Sequence, residues 1–187
     1  MLKKIFLLYF VLVSIPLLAQ KQNLSRRFDL RLGFGVTLLG TGDYVTCNFE
    51  NELNYKISSF FSSSASVNIG QSYVGAENNS GASFVQGNLN IYFSPFRNNK
   101  RNDFRLGGGL SVYHISDYYT SPYTNYHTGE KLTLFYGSKR TAFGFNIVAE
   151  YTYLISEKFL LGVLLFSQPY LNGDINSGGM VKFGIVL

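Results

Sequence analysis

From Phe28 onward, apolar residues fall at every second position, segment after segment. Phe28, Leu30, Leu32, Phe34, Val36 and Leu38 alternate with Asp29, Arg31, Gly33, Gly35 and Thr37. Near the other end, Val181, Phe183, Ile185 and Leu187 alternate with Lys182, Gly184 and Val186. A period of two is that of a β-strand with two unlike faces. Such segments run over approximately 28–39, 44–57, 60–73, 83–93, 104–115, 142–154, 159–168 and 179–187. Each is close to the roughly 9–11 residues with which a tilted strand crosses a bilayer. The expectation is all-β: an eight-stranded antiparallel up-and-down transmembrane β-barrel.

Parity assigns the two faces. Asp29 and Arg31 share a face, as do Glu50, Glu52 and Lys56, and Arg105, Glu150 and Lys182 fall on the corresponding faces. Gly33, Gly35, Gly107, Gly109, Gly144 and Gly184 share that parity. The opposite faces carry Phe49, Leu53 and Tyr55; Val67 and Ile69; Leu89, Ile91 and Phe93; and Phe143, Phe145, Ile147, Tyr151 and Tyr153. An eight-stranded barrel has room inside only for its own side chains. Charge and glycine therefore point inward, and the large apolar set faces lipid. The seventh segment departs from this. Leu160, Leu161, Val163, Leu164, Leu165 and Phe166 make both its faces apolar, which implies an apolar layer inside the barrel.

The connections alternate as well. Ser58-Ser59, residues 94–103 and Ser156-Glu157-Lys158 follow even segments, and 40–43, 74–82, 116–141 and 169–178 follow odd ones. Short turns belong to the periplasmic side and longer loops to the outside. The first outer connection is short, and the one containing Pro95 is long for a turn. Phe28, Phe60, Phe61, Phe93, Phe96, Phe104, Tyr153 and Phe159 fall toward the periplasmic rim, and Tyr44, Tyr73 and Phe143 toward the outer one, as in interfacial girdles.

Residues 1–20 read as a signal peptide and 21–187 as the barrel domain. Lys3 and Lys4 precede an apolar run from Ile5 to Leu18, broken only by Ser14 and Pro16, with Ala19 and Gln20 after it. The run is too short for a membrane helix. No later window is apolar enough to span as a helix, so spanning falls to strands. The formal charge of +5 includes Lys3 and Lys4. The mildly basic remainder suits an anionic membrane surface and does not single out nucleic acid. Cys47 is the only cysteine, so no intrachain disulfide is available.

The chain resembles the small outer-membrane β-barrel proteins of Gram-negative bacteria, the OmpA/OmpX-type eight-stranded group. The resemblance covers nearly all of the chain after residue 20. Its most specific parts are Tyr92-Phe93-Ser94-Pro95-Phe96 leading to Phe104-Arg105-Leu106-Gly107-Gly108-Gly109, and the strand Met180–Leu187. It implies an outer-membrane location, outer-membrane lipid and lipopolysaccharide around the barrel, and handling by the barrel assembly machinery. In that group the last strand ends on an aromatic; here Leu187 is last and Phe183 the nearest aromatic. The group shares no common chemistry: its members include anchors, adhesins, small-solute pores, assembly factors and lipid-modifying enzymes. No separate peptidoglycan-binding domain is expected after the barrel.

Three sets of residues carry candidate chemistry. Asp29, Arg31, Glu50, Glu52, Lys56, Arg105, Glu150 and Lys182 form a candidate lumen ion-pair network, since buried charges must pair; it reads either as a plug or as the lining of a narrow gated pore. His114-Ile115-Ser116 places an imidazole and a hydroxyl on one strand face, where base and nucleophile could act if a carboxylate oriented the histidine. The pair is similar to the His-x-Ser of lipid A deacylases, with Asp117 where those carry asparagine and Glu130 set in a loop. The other reading is an interfacial histidine. Residues 116–141 hold Tyr118, Tyr119, Tyr123, Tyr126 and Tyr136 with Lys131, Lys139 and Arg140. Tyrosine gives rigid amphipathic contact area, so this loop is a candidate surface for an extracellular ligand. The alternation Lys131 to Tyr136 equally fits a hairpin that extends the two flanking strands.

No metal site and no cofactor are expected, with two distant histidines and one cysteine. The expectation is a non-catalytic envelope barrel working in structure or surface binding. The alternatives are a narrow pore, a lipid A-modifying enzyme using His114 and Ser116, and a soluble lipocalin-like barrel with its apolar face inside.

Overall fold

The computed structural model describes residues 28–40, 44–72, 80–97, 101–124 and 131–187. The expected signal peptide and Tyr73 lie outside them. Eight strands follow in chain order: β1 Phe28–Leu39, β2 Tyr44–Lys56, β3 Phe61–Ser72, β4 Gly81–Phe93, β5 Asn102–Thr124, β6 Lys131–Leu154, β7 Phe159–Pro169 and β8 Ile175–Val186. Each pairs antiparallel with the next, and β1 pairs with β8, so the sheet is a closed barrel. At the seam Asp29 stands opposite Val186 and Leu38 opposite Ser177. The amide of Leu187 donates to the carbonyl of Phe28 at 2.9 Å.

Alternation in the chain becomes alternation in exposure. Along β1 and β2 nearly every apolar residue points out, and the polar ones point in apart from Asn51, which is exposed, and Lys56, which is half-buried at the strand end. Phe34, Leu89, Phe143 and Ile147 are each more than three-fifths exposed, while Asp29, Arg31, Glu52, Asn54, Arg105, Glu150 and Lys182 are buried. The apolar-inside arrangement of a soluble ligand-binding barrel is thereby excluded.

Two turns at one end use the same device. The amides of Ile57 and Ser58 both donate to the carbonyl of Phe61, and Ser58 Oγ accepts from the amides of Phe60 and Phe61. After β6, the amides of Ile155 and Ser156 donate to Phe159, and Ser156 Oγ accepts from Lys158 and Phe159. A short hydroxyl side chain closes its own turn in both hairpins.

At the opposite end one of the two readings of residues 116–141 holds. β5 and β6 stay paired register by register out to Thr124 and Lys131, as a hairpin extension of the two strands and not as a structureless loop. β4 ends opposite Tyr118, and β7 meets β6 only from Ile147 inward, apart from one bridge between Gly144 and Tyr170. The β5–β6 ribbon therefore stands clear of its neighbours. β8 also starts earlier than the apolar pattern, because Ser177, Gly178 and Gly179 pair with β7 and β1 without contributing hydropathy.

Candidate functional site

The inward face is organised in layers. The central one is charged. Arg31 of β1 binds its own-strand neighbour Asp29 and reaches across to Glu150 of β6. Arg105 of β5 donates to Glu150 at 2.9 Å and to Glu52 at 3.2 Å. Lys182 of β8 binds Glu52, lies 2.6 Å from Glu50 and 3.7 Å from Glu150. Neutral groups take up the remaining hydrogen bonds: Asn54 receives one from Arg105 and gives one to Asp29, and Ser66 donates to Glu50. Seven of the eight charged residues singled out by parity meet in this cluster. Lys56 lies at the mouth, half-buried beside the β2–β3 turn, where with Arg31, Arg101 and Asp103 it lines a small hollow.

Apolar groups flank the charges. Tyr92, Val148, Leu164, Phe166 and Met180 form one buried cluster, and the Arg105 guanidinium lies 3.8 Å from the centre of the Tyr92 ring. This is the layer implied by the apolar inner face of β7. Glycine makes room for it: a Cβ on Gly107 would run into the Tyr92 ring and Val148. A second cluster closes the hairpin end, built from Leu39, Ala82, Phe84, Tyr113, Ile115, Ala142 and Tyr170. The rings of Tyr113 and Tyr170 meet edge to face with centroids 4.1 Å apart. Tyr44 packs against this cluster rather than serving in an outer girdle. Both layers could have been sought among inward-parity aromatics, but parity alone gives neither depth nor partners.

Above the aromatic layer a polar clasp ties the β7–β8 connection to the ribbon. Tyr113 donates to Asp174, and Asn172 donates to both groups. Arg140 bridges Asp174 and Asp117 at 3.2 and 3.3 Å.

The ribbon beyond it exposes Tyr118, Tyr119, Tyr123 and Tyr136, with Tyr119 and Tyr136 stacked at 5.2 Å and 16°. Phe135, which the tyrosine count overlooks, is the most exposed large hydrophobic side chain among the described residues of the ribbon, at 80%. Tyr126 lies outside the described residues.

His114 points outward at the hairpin end, its Nδ1 2.8 Å from Thr141 Oγ1. Thr141 occupies the place a triad would give a carboxylate. Ser116 stands opposite Lys139, Asp117 engages Arg140, and Glu130 lies outside the described residues. The described residues thus assemble no base–nucleophile–carboxylate set around His114. They also contain no group of three or more His, Cys, Asp or Glu able to hold a metal ion.

A closed eight-stranded antiparallel barrel with a polar interior and an apolar exterior defines the class. No protein-family model matches the chain, and no curated protein matches it in sequence. Solved structures do match. The attachment invasion locus protein Ail of Yersinia pestis aligns with a TM-score of 0.60 at 8% identity, over 87% of this chain and 99% of Ail. Neisserial surface protein A gives 0.60 at 10% identity, over 86% and 97%. The outer membrane protein OprG of Pseudomonas aeruginosa gives 0.55 at 9% identity, over 87% and 96%. The chain has the fold of the small eight-stranded outer-membrane barrels of the OmpA/OmpX type.

Proposed function

We propose that this protein is a non-catalytic outer-membrane barrel, exported by a signal peptide over residues 1–20, whose work is done by the β5–β6 ribbon outside the membrane. The observation that carries the reading is the contrast between the two ends of the molecule. The interior is blocked twice, by the charged layer and by the Tyr113–Tyr170 layer, while the ribbon projects with its aromatic side chains uncovered. A soluble protein rarely leaves so much apolar area on one continuous surface. A bilayer removes that cost, and a closed barrel leaves no strand edge unpaired within it. Lipopolysaccharide and phospholipid are then the barrel's solvent, and the barrel assembly machinery its insertion partner.

Exposed rings with Lys139 and Arg140 at the ribbon's base suit recognition of an extracellular ligand, tyrosine bringing contact area at low entropic cost. Ail, a protein of the same fold, is described as an attachment invasion locus protein and was solved in complex with the heparin analogue sucrose octasulfate. The test uses protein reconstituted in fluorescent vesicles and applied to arrays of glycans and extracellular-matrix proteins. Binding is expected with the native ribbon and not with Tyr118, Tyr119, Phe135 and Tyr136 all changed to serine. Equal binding by both would refute the assignment to the ribbon.

A further inference from the structure

The outward face is not uniformly ridged. Across β2–β5 it dips into a groove of about 560 Å³, where Ala65 and Gly87 lie low between Leu53, Leu89, Leu110 and Val112. The groove continues into a hollow of about 460 Å³ over Ser63 and Gly108. Asn51 stands in its wall, exposed and in mid-strand. Phe49 and Leu53 flank it on β2, and Leu32 and Val67 stand opposite it on β1 and β3. Its carboxamide has no hydrogen-bond partner among the described residues.

A carboxamide carries two donor hydrogens and an acceptor oxygen, and the hydrocarbon of a bilayer offers none of their partners. An acyl chain would fill the groove and leave the amide unpaired. A second copy of this chain supplies the complement, because a carboxamide is complementary to itself: each oxygen accepts from the other's NH2. Rotation about an axis along the membrane normal sets the two amides at one depth, as a closed two-fold dimer requires. Small residues beside them let two backbones come close, which is where packing between membrane segments is strongest. We propose that the β2–β5 face is a homodimer interface within the membrane, with Asn51 paired to the same residue of a second copy.

This rests on the membrane reading above, and co-flotation of the protein with vesicles tests that reading separately. The dimer is tested with full-length protein carrying Cys47→Ser, so that no native thiol remains. Dyes at Ser59→Cys report energy transfer in phosphatidylcholine vesicles at increasing dilution. Transfer above the random level is expected, falling as a monomer–dimer equilibrium. Asn51→Leu and Gly87→Leu should each weaken association by about tenfold, and Asn51→Gln should retain it. Gly87→Leu does not disturb the barrel, since a Cβ there meets only Val112 at 3.7 Å. Under oxidation Val67→Cys should cross-link, and Val163→Cys on the far side should not. Random transfer in the parent protein, which is the result if an acyl chain fills the groove, overturns the proposal. So does undiminished association in both leucine variants.

Discussion

Replacing Arg105 with alanine removes the side chain on which the charged layer converges. Its guanidinium gives up Glu150 at 2.9 Å, Glu52 at 3.2 Å, Asn54 at 2.6 Å and Ser62 at 3.3 Å, together with the Tyr92 ring. The cluster of Arg31, Arg105 and Lys182 with Asp29, Glu50, Glu52 and Glu150 then has two cations against four carboxylates. All of these groups are buried. Removing one partner of a buried pair costs about 3–5 kcal/mol, because the other charge is left uncompensated. Lost contact with the ring is worth about 2 kcal/mol for a desolvated pair, and the two effects overlap in one side chain. A loss of about 3–5 kcal/mol is therefore expected in urea unfolding of vesicle-inserted protein, followed by circular dichroism because the chain has no tryptophan. Adding Glu150→Gln removes one of the surplus carboxylates. The double variant should thus lose at least about 1 kcal/mol less than the sum of the two single losses. Unfolding within about 0.5 kcal/mol of the parent protein, the range of ordinary surface changes, would refute the claim that these charges hold the interior together. Strict additivity would refute their direct coupling.

Gly107→Leu should behave quite unlike Gly87→Leu, although both add the same side chain to the middle of a strand. The first drives into Tyr92 and Val148 and should cost about 1–3 kcal/mol or prevent closure, while the second should leave the urea midpoint nearly unchanged. Tyr119→Ala breaks the Tyr119–Tyr136 stack, worth about 0.5–1.5 kcal/mol. Faster amide exchange confined to the ribbon is expected, with barrel amides unaffected. Arg140→Ala removes the bridge between Asp117 and Asp174; because Arg140 is part-exposed, the global loss should stay below about 1 kcal/mol. Limited proteolysis should nevertheless find the 171–174 connection cut sooner.

The period of two was enough to place all eight strands, because an amphipathic sheet writes its two faces into alternate residues. It was also enough to sort the charged set inward, since a membrane barrel tolerates such residues on only one face. Legibility stopped short in two places for separate reasons. Residues 116–141 read equally as a loop and as a hairpin extension, because alternation and clustered tyrosines suit either; the hairpin tolerates Pro122 since β5 has no β4 neighbour there, so its missing amide costs no ladder bond on that side. Depth inside the lumen is the other. Arg31 meets Glu150 at a sequence separation of 119 residues, an encounter fixed by the stagger of strands around the barrel. Nothing in either residue's own segment announces it. For the same reason Tyr92, Tyr113 and Tyr170 show inward parity in hindsight but not their roles as separate layers. Asn51 is a polar residue at an apolar parity, but the groove beside it is set by the packing of four strands and has no signature in the sequence of β2.

A filled lumen is the claim on which the rest depends, and single-channel recording on purified, folded protein in planar bilayers tests it most directly. With the charged layer and the Tyr113–Tyr170 layer in place, the membrane should show no unitary current steps above the protein-free baseline. Reproducible, ion-selective steps from the native protein, altered in size or selectivity by Arg105→Ala, would contradict it and make the charged layer a pore lining.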